Sequence, residues 1–273
     1  MSWKSALRPA LVATNRRLRQ WGIDGKTTLA AARGYTAVRS DRKRFDAQRR
    51  NSDHPEEFPL GQAFAVYADR EDAAGTASGH YFHQDLFVAR EIFHRQPQRH
   101  VDVGSSVYGF VSHVASFRNI DVFDVRPLTV RVQGITFIQH DLMKPDEQFD
   151  AMTDSLSCLH ALEHFGLGRY SDPIDYDGWR KGFANLTRML KPGGTLYFSV
   201  PTGQVQRVEF NGQRVFSLPF LRDFLTQEFT VEKLAFVTDD GDLVDEVDPF
   251  GDQAQTSFGA HYGCSIWVLA KNP

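Results

Sequence analysis

Between residues 80 and 271, short apolar runs alternate with amphipathic stretches, which is the pattern of alternating strands and helices. Runs of β-branched and aromatic residues predict seven strands, at residues 101–103, 120–123, 135–139, 149–153, 195–200, 231–236 and 264–269. Apolar residues three or four positions apart predict helices at residues 80–94, from 107, at 177–190 and from 217. The alternation predicts a doubly wound, Rossmann-like α/β domain with a mostly parallel sheet.

The turn after the first predicted strand is rich in small residues. It runs from Gly104 to Gly109 as G-x-x-x-x-G, which is neither the dinucleotide-binding G-x-G-x-x-G pattern nor a P-loop. Such a turn lets a ligand approach the backbone and the N-terminus of the next helix. Asp124 ends the second strand about 20 residues later, the spacing at which an acidic residue meets a ribose. The pair predicts a nucleoside-bearing cofactor.

Residues 1–79 differ from the rest of the chain in charge and pattern. Residues 1–50 hold 13 Lys/Arg and three Asp, a net charge of +10, so the remainder carries −13 of the total of −3. A stripe of large apolar residues predicts a first helix that ends near Gly22; its members are Trp3, Leu7, Leu11, Leu18 and Trp21. Residues 51–79, rich in Pro, Gly, Asp and Ala, predict an irregular connector before a domain at 80–273.

Three interpretations of this basic arm remain open. It packs on the domain with a solvated basic face, it binds an anionic membrane surface, or it binds nucleic acid. Nucleic acid is the least expected partner, because no basic platform interleaved with aromatic residues accompanies the arm. Cys158 and Cys264 are the only cysteines, and no apolar run is long enough to span a bilayer. We therefore expect a cytoplasmic protein, peripheral to the inner face of the membrane if the arm binds lipid.

Five motifs in order resemble class I S-adenosylmethionine-dependent methyltransferases: VDVGSS, Asp124, Asp141, Leu162-Glu163-His164 and LKPGGTLYFSVP. A more specific resemblance, carried by HYFHQDL, VDVGSS, DSLSCLHALEHFGLGRYSDP, YFSVP and RVEFNGQRVF, is to a bacterial and nematode family labelled as a domain of unknown function. Its bacterial members tend to be associated with surface-glycan biosynthesis. The chain departs from the methyltransferase pattern at Ser106 and Tyr108, where that class has glycines.

The resemblance implies a set of cofactor contacts for S-adenosylmethionine. The turn would hold the methionine end, the carboxylate after the second strand would bind the ribose, the residues after the third strand would meet the adenine, and those after the fourth would pass the sulfonium. The N-terminal end of the helix at 80–94 either covers the sheet edge or lies over the cofactor. The predicted contacts are Asp102, Gly104, Ser105, Ser106, Asp124, Val125, Arg126, Asp141, Leu142, Asp154, Ser155, Leu156, Tyr81 and Gln84.

The richest candidate chemistry follows the fourth predicted strand. His160, Glu163 and His164 form H-x-x-E-H, a signature shared with an inverted zinc-peptidase helix. That interpretation needs a long helix, and glycines at 166 and 168 follow almost at once, so we predict no metal site. The histidines either pack as hydrogen-bonded structural residues or face the substrate, where His164 or His160 would act as a general base oriented by Glu163. Predicted substrate contacts are Arg169, Tyr170, Asp172, Arg207, Asn211 and Arg214.

Two functions are consistent with these residues. The first is methyl transfer from S-adenosylmethionine to a hydroxyl of a glycan or glycan precursor. The second is a binding or scaffold protein of glycan biosynthesis that keeps the methyltransferase fold and turns over weakly or not at all, an alternative that Ser106 and Tyr108 favour. Accumulation of demethylated cofactor with a defined acceptor distinguishes them.

Overall fold

This computed structural model describes residues 21–22, 24–70 and 75–273. The chain divides into two compact units, Met1–Thr76 and Ala77–Pro273. The first unit contains one long helix, α1 (Gly25–Arg50), which the sequence pattern did not predict because its mean composition is polar and it lacks an apolar stripe. The residues after it are largely irregular, as predicted. The predicted helix at residues 3–21 lies outside the described residues, apart from the exposed Trp21.

The second unit holds all the strands of the described residues. Its helices are α2 (His80–Arg95), a π-helix (Val107–Val111) continued by α3 (Ser112–Ala115), α4 (Gly178–Met189) and α5 (Leu218–Leu225). Its strands are β1 (His100–Val103), β2 (Ile120–Asp124), β3 (Ile135–Gln139), β4 (Thr153–Leu159), β5 (Leu190–Thr202), β6 (Arg207–Glu209), β7 (Gln213–Val215), β8 (Phe229–Val237), β9 (Leu243–Val244) and β10 (Gly263–Lys271). Three short 3-10 helices lie at Glu147–Phe149, Leu162–His164 and Asp252–Gly259.

The main sheet has the order β3-β2-β1-β4-β5-β10-β8-β9. Strands β1 to β5 run parallel, whereas β10 enters antiparallel between β5 and β8. Strands β6 and β7 form a separate hairpin. The predicted doubly wound, mostly parallel α/β fold is confirmed, with eight strands in the main sheet rather than seven.

Helices cover both faces of the sheet because each presents one apolar face. On one face α2 and the π-helix bury Val88, Ile92 and Phe110 against the strands. On the other, α4 and α5 bury Phe183 and Leu221. Since the carboxyl ends of parallel strands meet at one edge of such a sheet, both layers frame the same ligand-binding edge. No described helix is both long enough and apolar enough to cross a bilayer.

The predicted fourth strand was wrong. The strand does not occupy residues 149–153 but runs from Thr153 to Leu159, after a 3-10 turn at Glu147–Phe149. Its serines at 155 and 157 are fully buried. Their hydroxyls hydrogen-bond to His100 and Asp102 on β1, so polar side chains are stable at these two buried positions.

Candidate cofactor and acceptor site

A cavity opens at the carboxyl ends of β1 to β4. Its volume is about 550 Å³, including the solvent at its mouth. The lining residues follow each of the four strands in turn: Val103, Gly104, Phe123, Asp124, Val125, Arg126, His140, Asp141, Leu142, Met143, His160, Ala161, His164, Phe165, Tyr170 and Asp172. It lies where doubly wound sheets bind ligands, and it brings together Gly104, Asp124, Val125, Arg126, Asp141 and Leu142 of the predicted cofactor set.

The turn after β1 is fixed by Asp102. The buried carboxylate of Asp102 accepts hydrogen bonds from the Ser105 hydroxyl at 2.7 Å, the Ser105 N–H at 3.1 Å and the Ser157 hydroxyl at 2.6 Å. Burial raises the pKa of Asp102 to about 7, against the effect of these bonds. Gly104 has φ 75°, and a Cβ there would lie 2.7 Å from the Ala161 Cβ. Asp102 and Ser105 thus shape the turn, and Ser106 is exposed beside it.

Asp124 points into the cavity but is bound by Arg126. Asp124 Oδ1 accepts hydrogen bonds from the Arg126 N–H at 2.8 Å and from Nε at 3.0 Å, and Oδ2 accepts one from Nη2 at 2.6 Å. The Arg126 guanidinium also lies 4.5 Å from the centre of the Tyr170 ring. Arg126 therefore links the end of β2 to the loop after β4, and it neutralises the carboxylate that the sequence assigned to a ribose.

The end of β3 contributes a second carboxylate. Asp141 Oδ1 accepts a hydrogen bond from the Met143 N–H at 3.0 Å, and Lys144 Nζ lies 3.5 Å from Oδ2. Leu142 is buried, and its carbonyl accepts a 2.7 Å hydrogen bond from Asn185 of α4. The carboxylates of Asp124 and Asp141 thus line the cavity from neighbouring strands, with Leu142 forming an apolar wall.

Tyr81 and Gln84, at the start of α2, are not among the residues that line the cavity. Gln84 is buried; its Oε1 accepts a 2.6 Å hydrogen bond from Ser199 of β5, and its Nε2 donates to Asp85 at 3.2 Å. Burial raises the pKa of Asp85 to about 6. A Cβ at Gly109 would lie 2.4 Å from Asp85 Oδ2, which explains a glycine within the π-helix. Tyr81 is exposed and its ring lies beside His160.

The structure contradicts the predicted cofactor contacts at Asp154, Ser155 and Leu156. These residues occupy the amino-terminal half of β4, at the sheet edge opposite the cavity. The Asp154 carboxylate accepts 2.8 Å hydrogen bonds from the N–H groups of Gln98 and Arg99, immediately before β1. The error follows from the misplaced strand, because the residues that reach the cavity from β4 are His160 and Ala161.

His160 is held in a strained and buried position directly after β4. Its φ is 50°, a left-handed conformation that costs a residue with a side chain of order 1–3 kcal/mol and is common at functional sites. Its Nδ1 lies 2.8 Å from Glu163 Oε1, while its Nε2 has no hydrogen-bond partner among the described residues. Burial lowers the pKa of His160, whereas the nearby Cys264 and Glu163 raise it by a larger amount. The net shift of the pKa is upward.

His164 has a different environment from His160. Its Nδ1 lies 2.6 Å from the Gly212 carbonyl, so Nδ1 carries a proton and donates it, which leaves a lone pair on Nε2. Glu163 Oε1 is 3.7 Å from Nε2, and Arg169 Nη1 lies 3.4 Å from it. Burial and the Arg169 charge lower the pKa of His164, whereas Glu163 raises it; the net shift is downward. His164 is therefore a neutral imidazole with its tautomer fixed.

The predicted substrate residues are brought together only in part. Tyr170 lines the cavity, and Asp172 mainly holds its own loop by accepting hydrogen bonds from the N–H groups of Gly166, Gly168 and Tyr170. On the hairpin, the buried Arg214 donates to the carbonyls of Glu163, Phe165 and Tyr176. Arg207 pairs with Glu209 at 2.8 Å, and Asn211 is exposed at the tip. Arg214 is thus committed to main-chain contacts.

The structure adds residues that the sequence pattern missed. His140 and Phe165 line the cavity; His140 directly follows β3, whose end the sequence did mark, whereas Phe165 comes after β4, whose bounds it did not. His80 and Cys264 lie against His160, although neither is near it in the sequence. Only His80 belonged to a motif, HYFHQDL, whereas Cys264 is one apolar residue in a buried strand and offered no signal.

The family model described as "Caenorhabditis protein of unknown function, DUF268" matches residues 125–229. That stretch begins just after β2, includes the whole H-x-x-E-H segment and the hairpin, and ends at the start of β8. A search of curated proteins found no match.

Several solved structures are similar in fold. The N-methyltransferase NodS from Bradyrhizobium japonicum WM9, in complex with S-adenosyl-L-homocysteine, is 15% identical, with 71% of this chain and 89% of that chain covered and a TM-score of 0.46. The 1,6-didemethyltoxoflavin-N1-methyltransferase from Burkholderia thailandensis is also 15% identical, with 69% and 79% covered and a TM-score of 0.44. An S-adenosylmethionine-dependent methyltransferase from Clostridium acetobutylicum ATCC 824 is 12% identical, with 71% and 92% covered and a TM-score of 0.47. Identities this low concern the fold alone.

Proposed function

We propose that this chain is an S-adenosylmethionine-dependent methyltransferase that methylates a hydroxyl of a glycan or cell-surface polysaccharide precursor. One observation carries the proposal: a single cavity is lined both by carboxylates suited to a nucleoside and by a neutral imidazole suited to accept a proton. Asp124 and Asp141 supply the former, and His164 the latter. The solved structures of similar fold include enzymes whose names specify methyl transfer.

The donor set fits the cofactor. Carboxylates at the ends of adjacent parallel strands accept hydrogen bonds from a ribose diol and a base amine, and apolar side chains such as Phe123 and Leu142 suit a flat base. Arg126 fills three acceptor positions on Asp124, so its side chain must release part of this contact when a ribose binds. The same release would free the Arg126 guanidinium for other anionic groups.

The bound cofactor would supply an electrophilic methyl group. The chain's own residues would align an acceptor hydroxyl and take its proton. His164 Nε2 carries the required lone pair, because Gly212 holds the proton on Nδ1. The imidazolium that forms would lie 3.7 Å from Glu163 Oε1, which stabilises the positive charge. Of the predicted pair of histidines, we therefore assign the base to His164.

The proposed acceptor carries a negative charge. The Arg169 guanidinium is exposed beside His164, and no carboxylate forms an ion pair with it within the described residues. The Arg169 guanidinium lies 5.3 Å from the centre of the Tyr170 ring, and the Arg126 guanidinium lies near the same ring. Two guanidinium groups around one aromatic ring suit a sugar that bears a carboxylate or phosphate. An acceptor with a negative charge is more consistent with an acidic glycan precursor than with a neutral metabolite.

Calorimetry with S-adenosylhomocysteine tests the cofactor site. Asp124→Ala should lose charge-assisted hydrogen bonds to the ribose, about 2–3 kcal/mol of binding free energy. Asp154→Asn is the matched control, since its carboxylate lies at the other sheet edge, and it should bind as wild type. Unchanged affinity in Asp124→Ala contradicts the assignment. Transfer of labelled methyl groups to cell-envelope extracts then identifies the acceptor class.

The alternative is a protein that binds cofactor or glycan without turnover. Tyr108 favours it, because this residue is 97% exposed where the methyltransferase class has glycine. The test uses extracts from cells that lack the gene product as the source of acceptors. Saturable cofactor binding without production of demethylated cofactor in any extract would support the scaffold. Production of demethylated cofactor with one extract fraction would support the enzyme.

We also propose that the basic arm places the protein at the inner membrane face. The charge of +10 over residues 1–50 attracts anionic lipid by about 1 kcal/mol for each basic residue near the surface, and salt weakens this attraction. In α1, Arg49 and Arg50 pair with Asp46, and Arg44 pairs with Asp41. Sedimentation with phosphatidylserine vesicles should fall when residues 1–50 are removed. Equal sedimentation of both forms contradicts the proposal.

A further inference from the structure

Three metal-binding side chains converge beside the cavity. One ligand atom each from His80, His160 and Cys264 lies within 4.8 Å of the others. They come from the first turn of α2, the turn after β4 and the start of β10, so three separate elements meet at this point. His160 and Cys264 are buried and His80 is partly buried. The cluster is separate from the carboxylates at the ends of β2 and β3.

One polar atom of this cluster lacks the partner that burial normally requires. His160 Nε2 is buried without a hydrogen-bond partner among the described residues, and the His160 side chain is only 3% exposed. An unpaired buried polar atom costs about 1–3 kcal/mol. The φ of 50° at His160 adds strain at the same residue. A bound cation would give Nε2 a partner and explain why both costs are tolerated.

The groups behind the cluster orient its rings as metal sites require. Ligating histidines usually donate their second ring N–H to a carboxylate or a backbone carbonyl. Glu163 Oε1 lies 2.8 Å from His160 Nδ1, which leaves Nε2 to face the cluster. The His80 ring stacks on the rings of Tyr262 and His160, with centroid distances of 5.2 and 5.1 Å. Neighbouring groups therefore hold both histidines in place.

We propose that His80, His160 and Cys264 bind one Zn²⁺ ion, with a fourth position open to the cavity. Imidazole and thiolate ligands select zinc among the common cations. Ligand atoms on a tetrahedral zinc ion lie about 3.5 Å apart, given bonds of about 2.0–2.3 Å, so small side-chain rotations close the observed spacing. Because His160 lines the cavity, the fourth position takes water or another oxygen ligand from it. Of the two histidines in the H-x-x-E-H motif, only His160 belongs to this cluster.

Metal analysis of the full-length, untagged protein tests the site. After chelator treatment, loading with Zn²⁺ and dialysis, wild type should retain one zinc ion per chain. Cys264→Ser should weaken zinc affinity more than hundredfold, and Glu163→Gln should weaken it about 10- to 100-fold through loss of the group behind His160. Cys158→Ser is the matched control, since Cys158 is equally buried in β4 and lies outside the cluster, and it should bind as wild type. Equal zinc binding by Cys264→Ser overturns the proposal.

Substitution with Co²⁺ provides a test that does not depend on any variant folding. Wild-type protein loaded with Co²⁺ should show a thiolate-to-cobalt charge-transfer band and the visible spectrum of tetrahedral cobalt. Zinc should displace the cobalt and abolish both signals. A wild-type protein without the thiolate band overturns the proposal, whatever its activity as a methyltransferase.

Discussion

The two ends of the central sheet treat a buried histidine in opposite ways. At the amino end, both ring nitrogens of His100 are paired, with Ser155 Oγ at 2.8 Å and Ser157 Oγ at 3.2 Å. At the carboxyl end, His160 has a left-handed backbone and pairs one nitrogen with Glu163, while its other nitrogen has no hydrogen-bond partner in the part of the chain that the structure describes. Burial is similar, so burial alone does not identify a functional histidine. What distinguishes them is whether the surrounding structure completes the hydrogen bonds.

The hydrogen bonds at the amino end of the sheet have defined donors and acceptors. Ser157 donates to Asp102, so it accepts from His100 Nε2–H, and His100 Nδ1 accepts from Ser155. This chain of hydrogen bonds ends on the carboxylate that shapes the Gly104 turn. His100, Ser155 and Ser157 therefore support the turn after β1, and none of the three lines the cavity. The comparison predicts loss of rate from changes at the carboxyl end and loss of stability from changes at the amino end.

The largest expected effect is on turnover at the carboxyl end. His164→Asn should lower the rate of methyl transfer about 10²- to 10⁴-fold, because asparagine cannot accept the proton. Cofactor affinity and melting temperature should stay near wild type. His113→Asn, an exposed histidine outside the cavity, serves as the control. Full turnover in His164→Asn, or loss only through unfolding, would show that the ring merely shapes the loop.

The next effect is on stability at the amino end. His100→Leu should lower the free energy of unfolding by about 1–3 kcal/mol, because the buried Ser155 hydroxyl loses its partner. Denaturant unfolding measures the change. Cofactor affinity of the folded variant should match wild type. A variant as stable as wild type, or one that loses cofactor binding while fully folded, would contradict the division between the two ends.

His100 also predicts how acid affects stability. Burial, with a smaller contribution from Arg118, lowers its pKa to about 3, whereas Asp154 acts in the opposite direction. Between about pH 6.5 and pH 3 the unfolded state binds a proton that the folded state does not, so stability falls as the pH falls. The slope from this residue is at most about 1.4 kcal/mol per pH unit. Unfolding curves of His100→Leu should lack this part of the slope; identical slopes would contradict the prediction.

The smallest effect concerns Asp154. Asp154→Asn should cost about 1 kcal/mol of stability, because a neutral oxygen replaces a carboxylate that accepts two main-chain N–H groups. The melting temperature measures it, with Asp121→Asn as a second carboxylate variant at the same end of the sheet. If Asp154→Asn is more stable than wild type, the Asp154 carboxylate destabilises the folded protein. Cofactor binding by this variant also tests the position of Asp154: unchanged affinity agrees with its observed place away from the cavity, and reduced affinity with the predicted cofactor contact.

Much of the fold followed from apolar periodicity. β1, β2, β3 and α2 were predicted within one residue because apolar side chains recur in each of them at the spacing of a strand or a helix. β4 was missed because its buried positions include serines, whose burial depends on partners in another strand. α1 was missed because a polar helix has no stripe to detect.

The candidate site divides in the same way. Asp124 and Asp141 were predictable because Asp124 ends one recognisable strand and Asp141 follows another by two residues, and both line the cavity. The cluster of His80, His160 and Cys264 was not predictable, because only the folded chain brings these residues together. The Gly212 carbonyl, which fixes the tautomer of His164, is a main-chain group that any sequence would supply. Local patterns therefore mark positions along strands, while long-range contacts decide what those positions do.

The position of β10 has a consequence for biosynthesis. This strand is made after β8 and β9 but is inserted between β5 and β8. While translation has reached only β9, both neighbouring edges lack their partner, and exposed strand edges promote pairing between nascent chains. Cys264 arrives with the same strand, whereas His80 and His160 emerge much earlier. Insertion of this late strand thus closes the sheet and completes the cysteine–histidine cluster.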